Sequence, residues 1–220
     1  MAEGAPYGLV IFDCDGVLVD SEPIANRVFA EMLAELGLPL GYEETVRTFV
    51  GRSMPACVAI VEERIGRPVP AGFTDDFRER TFAAFRRQLR PVAGVEQALD
   101  AIALPTCVAS SGEPAKIRFT LGLTGLLPRF EGRIFSSVEV ERGKPAPDLF
   151  LHAARRMGVT PERCAVVEDS VLSAQAGAAA GMTVLGYAER TDAAALAAAG
   201  ASRVFTGMRA LPALLAGPAA

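Results

Sequence analysis

The stretch Leu9-Val10-Ile11-Phe12-Asp13-Cys14-Asp15-Gly16 decides the fold, because an unbroken apolar run passes directly into two acidic residues and a glycine. Such a run of β-forming residues is typical of a strand that is buried on both faces, as in a parallel sheet. Side chains alternate along an extended backbone, so Asp13 and Asp15 are expected on one side of the chain. In open α/β sheets, ligands bind beyond the carboxyl ends of the strands. The two carboxylates are therefore predicted to lie at a functional site.

Hydrophobic periodicity divides the rest of the chain into two parts. Between residues 21 and 88, apolar residues recur at helical spacing, and helices are expected to begin at Ser21, as a side-chain cap, and at Ser53. From residue 89 onward, helix and strand patterns alternate, which predicts a doubly wound parallel sheet. The predicted fold class is α/β, with a core of residues 1–20 and 89–220 and a small helical cap domain of residues 21–88 inserted after the first strand. A helical unit over the carboxyl ends of the strands would act as a lid.

The composition argues against several kinds of partner. The 22 Lys and Arg residues are outnumbered by 26 Asp and Glu residues, and the net charge of -4 gives no basic excess for nucleic acid or an anionic membrane. No stretch reaches the roughly 18 consecutive apolar residues of a membrane-spanning helix, and no signal-peptide pattern is found at the N-terminus. We therefore expect a cytoplasmic protein without nucleic-acid or membrane partners. Its alanine-rich helices are compatible with a monomer or a homodimer.

The cysteines and the histidine are expected to have structural roles. Cys14, Cys57, Cys107 and Cys164 are widely spaced and mostly lie in apolar runs, which favours buried thiols over a disulfide or a zinc site. His152 is the only histidine and lies among alanines on a predicted helix, where a surface or packing role is favoured. Since a mechanism that needs histidine would have only this one base, the sequence favours chemistry by carboxylates.

Polar residues also follow the later strands. Ser110 and Ser111 come after the second predicted strand, Glu168 and Asp169 come after the fourth, and Lys144 directly precedes a helix. Each residue has a structural alternative; either serine, for example, could cap the next helix. Together they favour one site, because carboxylate oxygens suit Mg²⁺, and a lysine and a hydroxyl suit a phosphoryl group.

Three other ligand motifs are excluded by their spacing. The acidic pair and Gly16 resemble the start of a calcium loop, but the glycine comes too early and no acid stands at the closing position. Gly143-Lys144 is followed by proline and lacks the upstream glycine of a phosphate-binding P-loop. No Gly-x-Gly-x-x-Gly motif follows the first strand, so a dinucleotide-binding enzyme is not expected.

Taken in order, these motifs resemble those of the haloacid dehalogenase-like phosphatases, in the subgroup whose helical cap follows the first motif. That subgroup includes phosphoglycolate phosphatases, beta-phosphoglucomutases and sugar-acid phosphatases. The resemblance covers nearly the whole chain and rests on four motifs: Asp13-Cys14-Asp15-Gly16-Val17, Ser110 after an apolar strand, Lys144 in Gly-Lys-Pro-x-Pro-Asp, and Glu168-Asp169. It implies a Rossmannoid core and a Mg²⁺-dependent phosphatase of a small phosphorylated metabolite, such as a sugar phosphate, a sugar-acid phosphate or phosphoglycolate.

By this resemblance, the acidic residues carry the reaction and hold the metal ion. Asp13 is the expected nucleophile, which forms an aspartyl-phosphate. Asp15 is the expected acid and base, which protonates the leaving alcohol and then activates water. Mg²⁺ is expected to bind Asp13, the backbone carbonyl of Asp15, Asp169 and Glu168, the last either directly or through water.

The resemblance also implies which residues contact the substrate. Ser110, Ser111 and Lys144 are expected to hold the phosphoryl oxygens. In the helical segment, Arg52 and Ser53 are expected to select the substrate, although Arg52 could also be a solvated loop residue.

Differences from related enzymes separate the possible activities. Dehalogenases of the superfamily lack an acid at the position of Asp15, so this residue favours phosphate esters. A sugar phosphomutase of the beta-phosphoglucomutase type is the alternative, but Ala25 and Met54 stand where such mutases carry a histidine and an arginine. A phosphonate-cleaving relative would need a lysine between residues 21 and 88, and there is none. An inactive relative with a binding role is disfavoured because no motif residue is missing.

Overall fold

The computed structural model describes residues 6–216. The chain divides into two compact units. An α/β unit is formed by the chain up to Val19 and from Arg90 onward, and a helical unit is formed by Asp20–Leu89. Among the helices of the described residues, none is long and apolar enough to cross a membrane.

The α/β unit is built on a parallel sheet with the strand order β3-β2-β1-β4-β5-β6. This parallel sheet, with helices between its strands, confirms the predicted α/β class. The strand order reverses between β1 and β4, and in such sheets ligands bind beside this switch point, at the carboxyl ends of the strands. The strands are β1 Leu9–Phe12, β2 Thr106–Ser110, β3 Ile134–Ser136, β4 Cys164–Glu168, β5 Thr183–Tyr187 and β6 Ala201–Phe205.

The helices account for most of the remaining chain. The first four form the helical unit, and the others alternate with the strands. In chain order they are α1 Glu22–Glu35, α2 Tyr42–Phe49, α3 Met54–Ile65, α4 Phe73–Gln88, α5 Val95–Ala101, α6 Pro114–Leu123, α7 Leu127–Phe130, α8 Asp148–Met157, α9 Val171–Ala179, α10 Ala193–Ala198 and α11 Leu211–Leu215.

The core of the α/β unit surrounds β1, whose four residues are fully buried. Leu149 and Phe150 of α8 pack against the sheet in the same apolar cluster as Leu9 and Ile11. Complete burial of such a side chain stabilises the fold by about 1.5–3 kcal/mol. This packing fixes the position of β1, and therefore of the acidic residues that follow it.

The cysteines and the histidine have the structural roles that the sequence predicted. All four cysteines are buried and none forms a disulfide. His152 contacts the ring of Phe135 edge-on, with 5.6 Å between ring centroids, and its Nε2 lies 3.2 Å from Glu139 Oε2.

The helical unit has its own apolar centre. Phe29 of α1 makes edge-to-face contacts with Phe49, Phe73 and Phe77, at centroid distances of 5.0, 6.1 and 5.1 Å. The predicted side-chain cap at Ser21 is wrong: its side chain makes no capping bond, and its backbone is already helical at φ -84° and ψ -33°. A residue with helical dihedrals does not present its hydroxyl to the N–H groups of the first turn.

The strands extend further than the polar residues suggested. Ser110 is the last residue of β2 and pairs with Ser136, and Glu168 is the last residue of β4 and pairs with Gly186. The alternative in which a serine caps the next helix is also wrong, because the N-cap position of α6 is Glu113. Both residues therefore lie at the end of the sheet and not in the first turn of a helix.

Candidate active site

Three carboxylates meet at the carboxyl ends of β1 and β4. The two strands pair in parallel, with Phe12 opposite Val167, and the N–H of Asp13 donates to the carbonyl of Val167 at 3.1 Å. This register brings Asp13 beside Glu168 and Asp169. One oxygen from each of these three carboxylates lies within 4.8 Å of the others. Such a group of oxygen atoms is able to hold a cation.

Gly16 makes the close approach of Asp169 possible. The backbone φ of Gly16 is +77°, in the left-handed region, and a Cβ atom built on it would lie 2.0 Å from Asp169 Oδ2. Two backbone bonds fix this turn, from the N–H of Gly16 to the carbonyl of Val19 and from the N–H of Leu18 to the carbonyl of Cys14, both at 2.9 Å. Any side chain at position 16 would displace the Asp169 carboxylate.

Lys144 forms the centre of the buried part of the site. Its Nζ donates to Asp13 Oδ1 at 2.9 Å and to Glu168 Oε1 at 2.5 Å, and only 4% of its side chain is exposed. The ammonium also lies 4.9 Å from the ring centroid of Phe150. Burial alone would lower the pKa of Lys144, but the charges of Asp13 and Glu168 outweigh it and raise that pKa. Lys144 is therefore a permanent cation between two carboxylates.

Burial also raises the pKa values of two acids in the site, Glu168 and Asp13. It raises the pKa of Glu168 to about 8, although Lys144 acts in the opposite direction. Burial likewise raises the pKa of Asp13, again against Lys144, and the nearby charge of Asp15 raises it further. The Oε2 atom of Glu168 is buried and has no hydrogen-bond partner among residues 6–216.

These observations test whether the acidic cluster fits a metal ion. A buried carboxylate oxygen without a donor is costly unless a cation compensates it. All the candidate ligands are hard oxygen atoms, which is the set that Mg²⁺ and similar cations prefer. The residues present therefore fit a divalent metal site.

The end of β2 is held by hydroxyls from the end of β3. Ser110 is buried, and its Oγ accepts the N–H of Gly112 at 3.2 Å, which leaves the hydroxyl hydrogen available for a donor bond. Ser111 is exposed, and its carbonyl accepts Ser137 Oγ at 3.0 Å. Ser136 Oγ donates to the carbonyl of Gly112 at 2.6 Å. Ser136 and Ser137 were not predicted as site residues, although they stand at the end of β3 in the same way as Ser110 and Ser111 stand at the end of β2.

Lys116 of α6 is a further charged residue that was not predicted. Its Nζ donates to Asp15 Oδ2 at 2.7 Å, and the exposed fractions of the two side chains are 32% and 25%. Burial lowers the pKa of Lys116, but the charge and hydrogen bond of Asp15 outweigh this effect and raise it. Both carboxylates that follow β1 therefore have a lysine partner.

Arg52 and Ser53 belong to the helical unit. Ser53 is the N-cap of α3, and its Oγ accepts the N–H of Ala56 at 3.4 Å. Arg52 is exposed, and its Nε donates to the carbonyl of Thr48 at 2.8 Å. Arg52 also lines a cavity of about 200 Å³ inside this unit, together with Glu22, Asn26, Phe29, Phe49 and Phe77.

Comparisons with known proteins identify the family. A family profile described as haloacid dehalogenase-like hydrolase matches residues 7–181. A 6-phosphogluconate phosphatase from Escherichia coli (strain K12) is 37% identical over 176 residues, which cover 80% of this chain and 80% of that protein. The chain belongs to the haloacid dehalogenase-like hydrolases.

Two solved structures share this fold. A conserved haloacid dehalogenase-like protein of unknown function from Agrobacterium tumefaciens has a TM-score of 0.87 at 37% identity, with 96% of this chain and 98% of that chain covered. A haloacid dehalogenase family hydrolase from Deinococcus radiodurans, solved with bound phosphate and sodium, has a TM-score of 0.84 at 36% identity, with 98% and 100% covered. The predictions of the family and of a phosphoric monoester hydrolase of small phosphorylated metabolites are confirmed.

Proposed function

We propose that the protein hydrolyses a phosphorylated sugar acid of the 6-phosphogluconate class through an aspartyl-phosphate on Asp13. The observation that carries this proposal is the buried ammonium of Lys144, bonded to Asp13 and Glu168 where β1 and β4 end. A carboxylate nucleophile and a phosphate ester are both anionic and repel each other. A permanent cation beside the nucleophile reduces that repulsion.

The proposed reaction has two steps. In the first, a carboxylate oxygen of Asp13 forms a bond to phosphorus, the ester P–O bond breaks, and Asp15 gives its proton to the departing alkoxide. In the second, Asp15 takes a proton from a water molecule that attacks phosphorus, and the carboxylate of Asp13 is released. Lys144 bonds Oδ1 of Asp13 and so holds the nucleophile in one orientation.

The same acids are the proposed ligands of Mg²⁺. Asp13, Asp169, the backbone carbonyl of Asp15 and Glu168, directly or through water, would hold the ion. When bound, Mg²⁺ supplies positive charge close to the phosphoryl oxygens. The buried Oε2 atom of Glu168 and the hard oxygen ligands support this assignment.

Ser110 and Lys144 are the proposed phosphate-binding residues, together with Ser111. The Ser110 hydroxyl accepts a bond from Gly112 and can donate its own hydrogen to a phosphoryl oxygen. The two serines at the end of β3, Ser136 and Ser137, donate to the backbone carbonyls of this loop and stabilise it. The related hydrolase from Deinococcus radiodurans, which was solved with phosphate and sodium, supports binding of a phosphate and a cation.

The substrate class rests on one relative and on the cavity of the helical unit. The 37% identical relative is a 6-phosphogluconate phosphatase. The guanidinium of Arg52 suits a carboxylate, and Glu22 and Asn26 suit sugar hydroxyls. We therefore assign substrate selection to Arg52. The capping bond of Ser53 supports a smaller contribution from that residue.

The test is phosphate release from 6-phosphogluconate and from glucitol 6-phosphate, in which a hydroxymethyl group replaces the carboxylate. The wild type is expected to prefer the acid by about 10-fold or more in kcat/KM, and Arg52→Met is expected to reduce this preference to about 3-fold or less. Arg47→Met is the matched control, because Arg47 is exposed on α2 of the same unit and does not line the cavity. An unchanged preference in Arg52→Met would exclude the role of Arg52.

The mutase alternative predicts a different product. A phosphomutase returns an isomeric sugar phosphate and releases little inorganic phosphate. Ala25 and Met54 stand at the positions where the resemblance places the histidine and arginine of such mutases. Incubation with β-glucose 1-phosphate and analysis by ³¹P nuclear magnetic resonance distinguishes the two products.

A cytoplasmic location is part of the proposal, and the four buried cysteines without disulfides support it because they fit a reducing compartment. A monomer and a homodimer remain the two expected assemblies. Sedimentation of the active protein distinguishes them.

A further inference from the structure

The chain has an unusual distribution of basic residues. Of its 22 Lys and Arg residues, two are lysines, Lys116 and Lys144, and the other 20 are arginines. Each lysine donates to one of the two acids that follow β1, Lys144 to Asp13 and Lys116 to Asp15. The proposed mechanism explains Lys144 but gives no role to Lys116.

The position of Lys116 is fixed by the fold. Lys116 lies in the first turn of α6, and the next residue, Ile117, is buried with 1% exposure. The aliphatic stem of Lys116 passes over Gly112, where its Cδ would lie 3.7 Å from an added Cβ. The ammonium therefore reaches Asp15 from an anchored helix, and a change in the Asp15 rotamer would break the 2.7 Å bond to Oδ2.

We propose that Lys116 is a positioning residue for proton transfer by Asp15. This inference rests on the proposed function of Asp15. The bond from Lys116 Nζ to Oδ2 holds the Asp15 side chain in a single rotamer beside the nucleophile, and a proton carried on the other carboxyl oxygen is delivered to the leaving alkoxide. A misplacement of about 1 Å in a catalytic group can reduce the rate by about 10²-fold.

The chemistry of lysine suits this task better than that of arginine. A lysine ammonium is a compact charge that can engage a single carboxylate oxygen, here Oδ2 of Asp15. A guanidinium presents a planar fork that tends to engage both oxygens of a carboxylate. The oxygen that exchanges the proton must stay accessible to the substrate.

The test compares two substrates that differ in their need for an acid. The alkyl phosphate, the better substrate of 6-phosphogluconate and glucitol 6-phosphate, releases an alkoxide that must be protonated, whereas p-nitrophenyl phosphate releases a stable phenolate. The parameter is kcat/KM, which covers the steps up to departure of the leaving group and omits hydrolysis of the aspartyl-phosphate. Lys116→Met is expected to lower kcat/KM by about 10- to 100-fold for the alkyl phosphate and by less than about 3-fold for p-nitrophenyl phosphate.

Two further variants separate positioning from a general structural role. In the Asp15→Asn background, Lys116→Met is expected to have no further effect, since the residue that it positions is already inactive. Lys116→Arg keeps the charge and is expected to recover part of the loss for the alkyl phosphate. The matched control is Arg118→Met, because Arg118 lies two residues further along α6 and pairs with Glu131 on the surface at 2.9 Å. Its kinetics should equal those of the wild type.

The outcomes distinguish this inference from the proposed function. Equal losses for both substrates in Lys116→Met, or a full additional loss in the Asp15→Asn background, would overturn the positioning role alone. A wild type that releases no phosphate from any substrate would overturn the proposed function and this inference with it.

Discussion

Asp13 and Asp15, two residues apart on the chain, each pair with a lysine. The two pairs have similar nitrogen–oxygen distances but differ in burial. The Asp13–Lys144 distance is 2.9 Å and the Asp15–Lys116 distance is 2.7 Å. The first pair is 12% and 4% exposed, whereas the second is 25% and 32% exposed. A buried ion pair cannot replace its partner with water, but a partly exposed pair can. The inner pair therefore suits a fixed nucleophile, and the outer pair suits a group that exchanges protons.

The largest effect is expected from breaking the inner pair. Lys144→Met leaves Asp13 and Glu168 buried without their cation. We expect kcat/KM to fall by about 10³-fold or more, and the free energy of unfolding to fall by about 3–5 kcal/mol. Phosphate release and urea denaturation measure the two effects.

Arg142→Met is the matched control for this variant. Arg142 lies two residues before Lys144 and pairs with Asp148 on the surface, where 68% of its side chain is exposed. Its loss should leave both activity and the denaturation midpoint unchanged. Similar stability losses in the Lys144 and Arg142 variants would remove the distinction between a buried and an exposed pair.

A smaller effect is expected at Gly16, which follows Asp15 in the chain and lies against the carboxylate of Asp169, a proposed metal ligand. In Gly16→Ala, the new Cβ would collide with Asp169 Oδ2, and activity is expected to fall by about 100-fold, with a higher Mg²⁺ requirement. Gly158→Ala is the control: Gly158 has a φ of +70°, but an added Cβ meets nothing within 4 Å. The control should lose about 1–2 kcal/mol of stability and keep its activity. Equal activities of the two variants would show that Asp169 tolerates displacement.

The smallest effect is a pH dependence of metal binding, which we expect because Glu168 is one of the proposed ligands. Burial raises the pKa of Glu168 to about 8, so this group binds a proton near neutral pH when no metal is present. A metal ion binds the ionised form, so binding should release a proton, and Mg²⁺ affinity should increase as the pH rises toward that pKa. Titration calorimetry in two buffers of different ionisation enthalpy measures the proton release. Glu168→Gln should abolish it, and release that persists in this variant would assign the proton to another group.

The sequence predicted the sheet because β1 and its neighbours are buried on both faces and read as continuous apolar runs. The prediction of where the strands end was wrong. Ser110 and Glu168 are polar, so each strand was expected to stop before them, yet pairing with Ser136 and Gly186 extends the ladder by one residue. Tertiary pairing outweighs local preference at such positions.

The motif residues of the site were predictable because strand ends converge, but their partners were not. Lys116 lies 101 residues from Asp15, and a lysine on a helix is ordinarily read as a solvated charge. A signal was nevertheless present, since a chain with 20 arginines has lysine at two positions.

The missing cap at Ser21 has a different cause: capping depends on backbone dihedrals, which a residue type does not determine.

The most direct test of the account is detection of the aspartyl-phosphate. The Asp15→Asn variant is mixed with p-nitrophenyl phosphate. This ester needs no acid to form the intermediate, and the variant lacks the base that activates water to hydrolyse it. After acid quenching, we predict about one hydroxylamine-labile phosphoryl group per chain, on the peptide that carries Asp13, and none in the Asp13→Asn/Asp15→Asn variant. Turnover without any acyl phosphate, or a label that persists in the double variant, would contradict the assignment of Asp13 as the nucleophile.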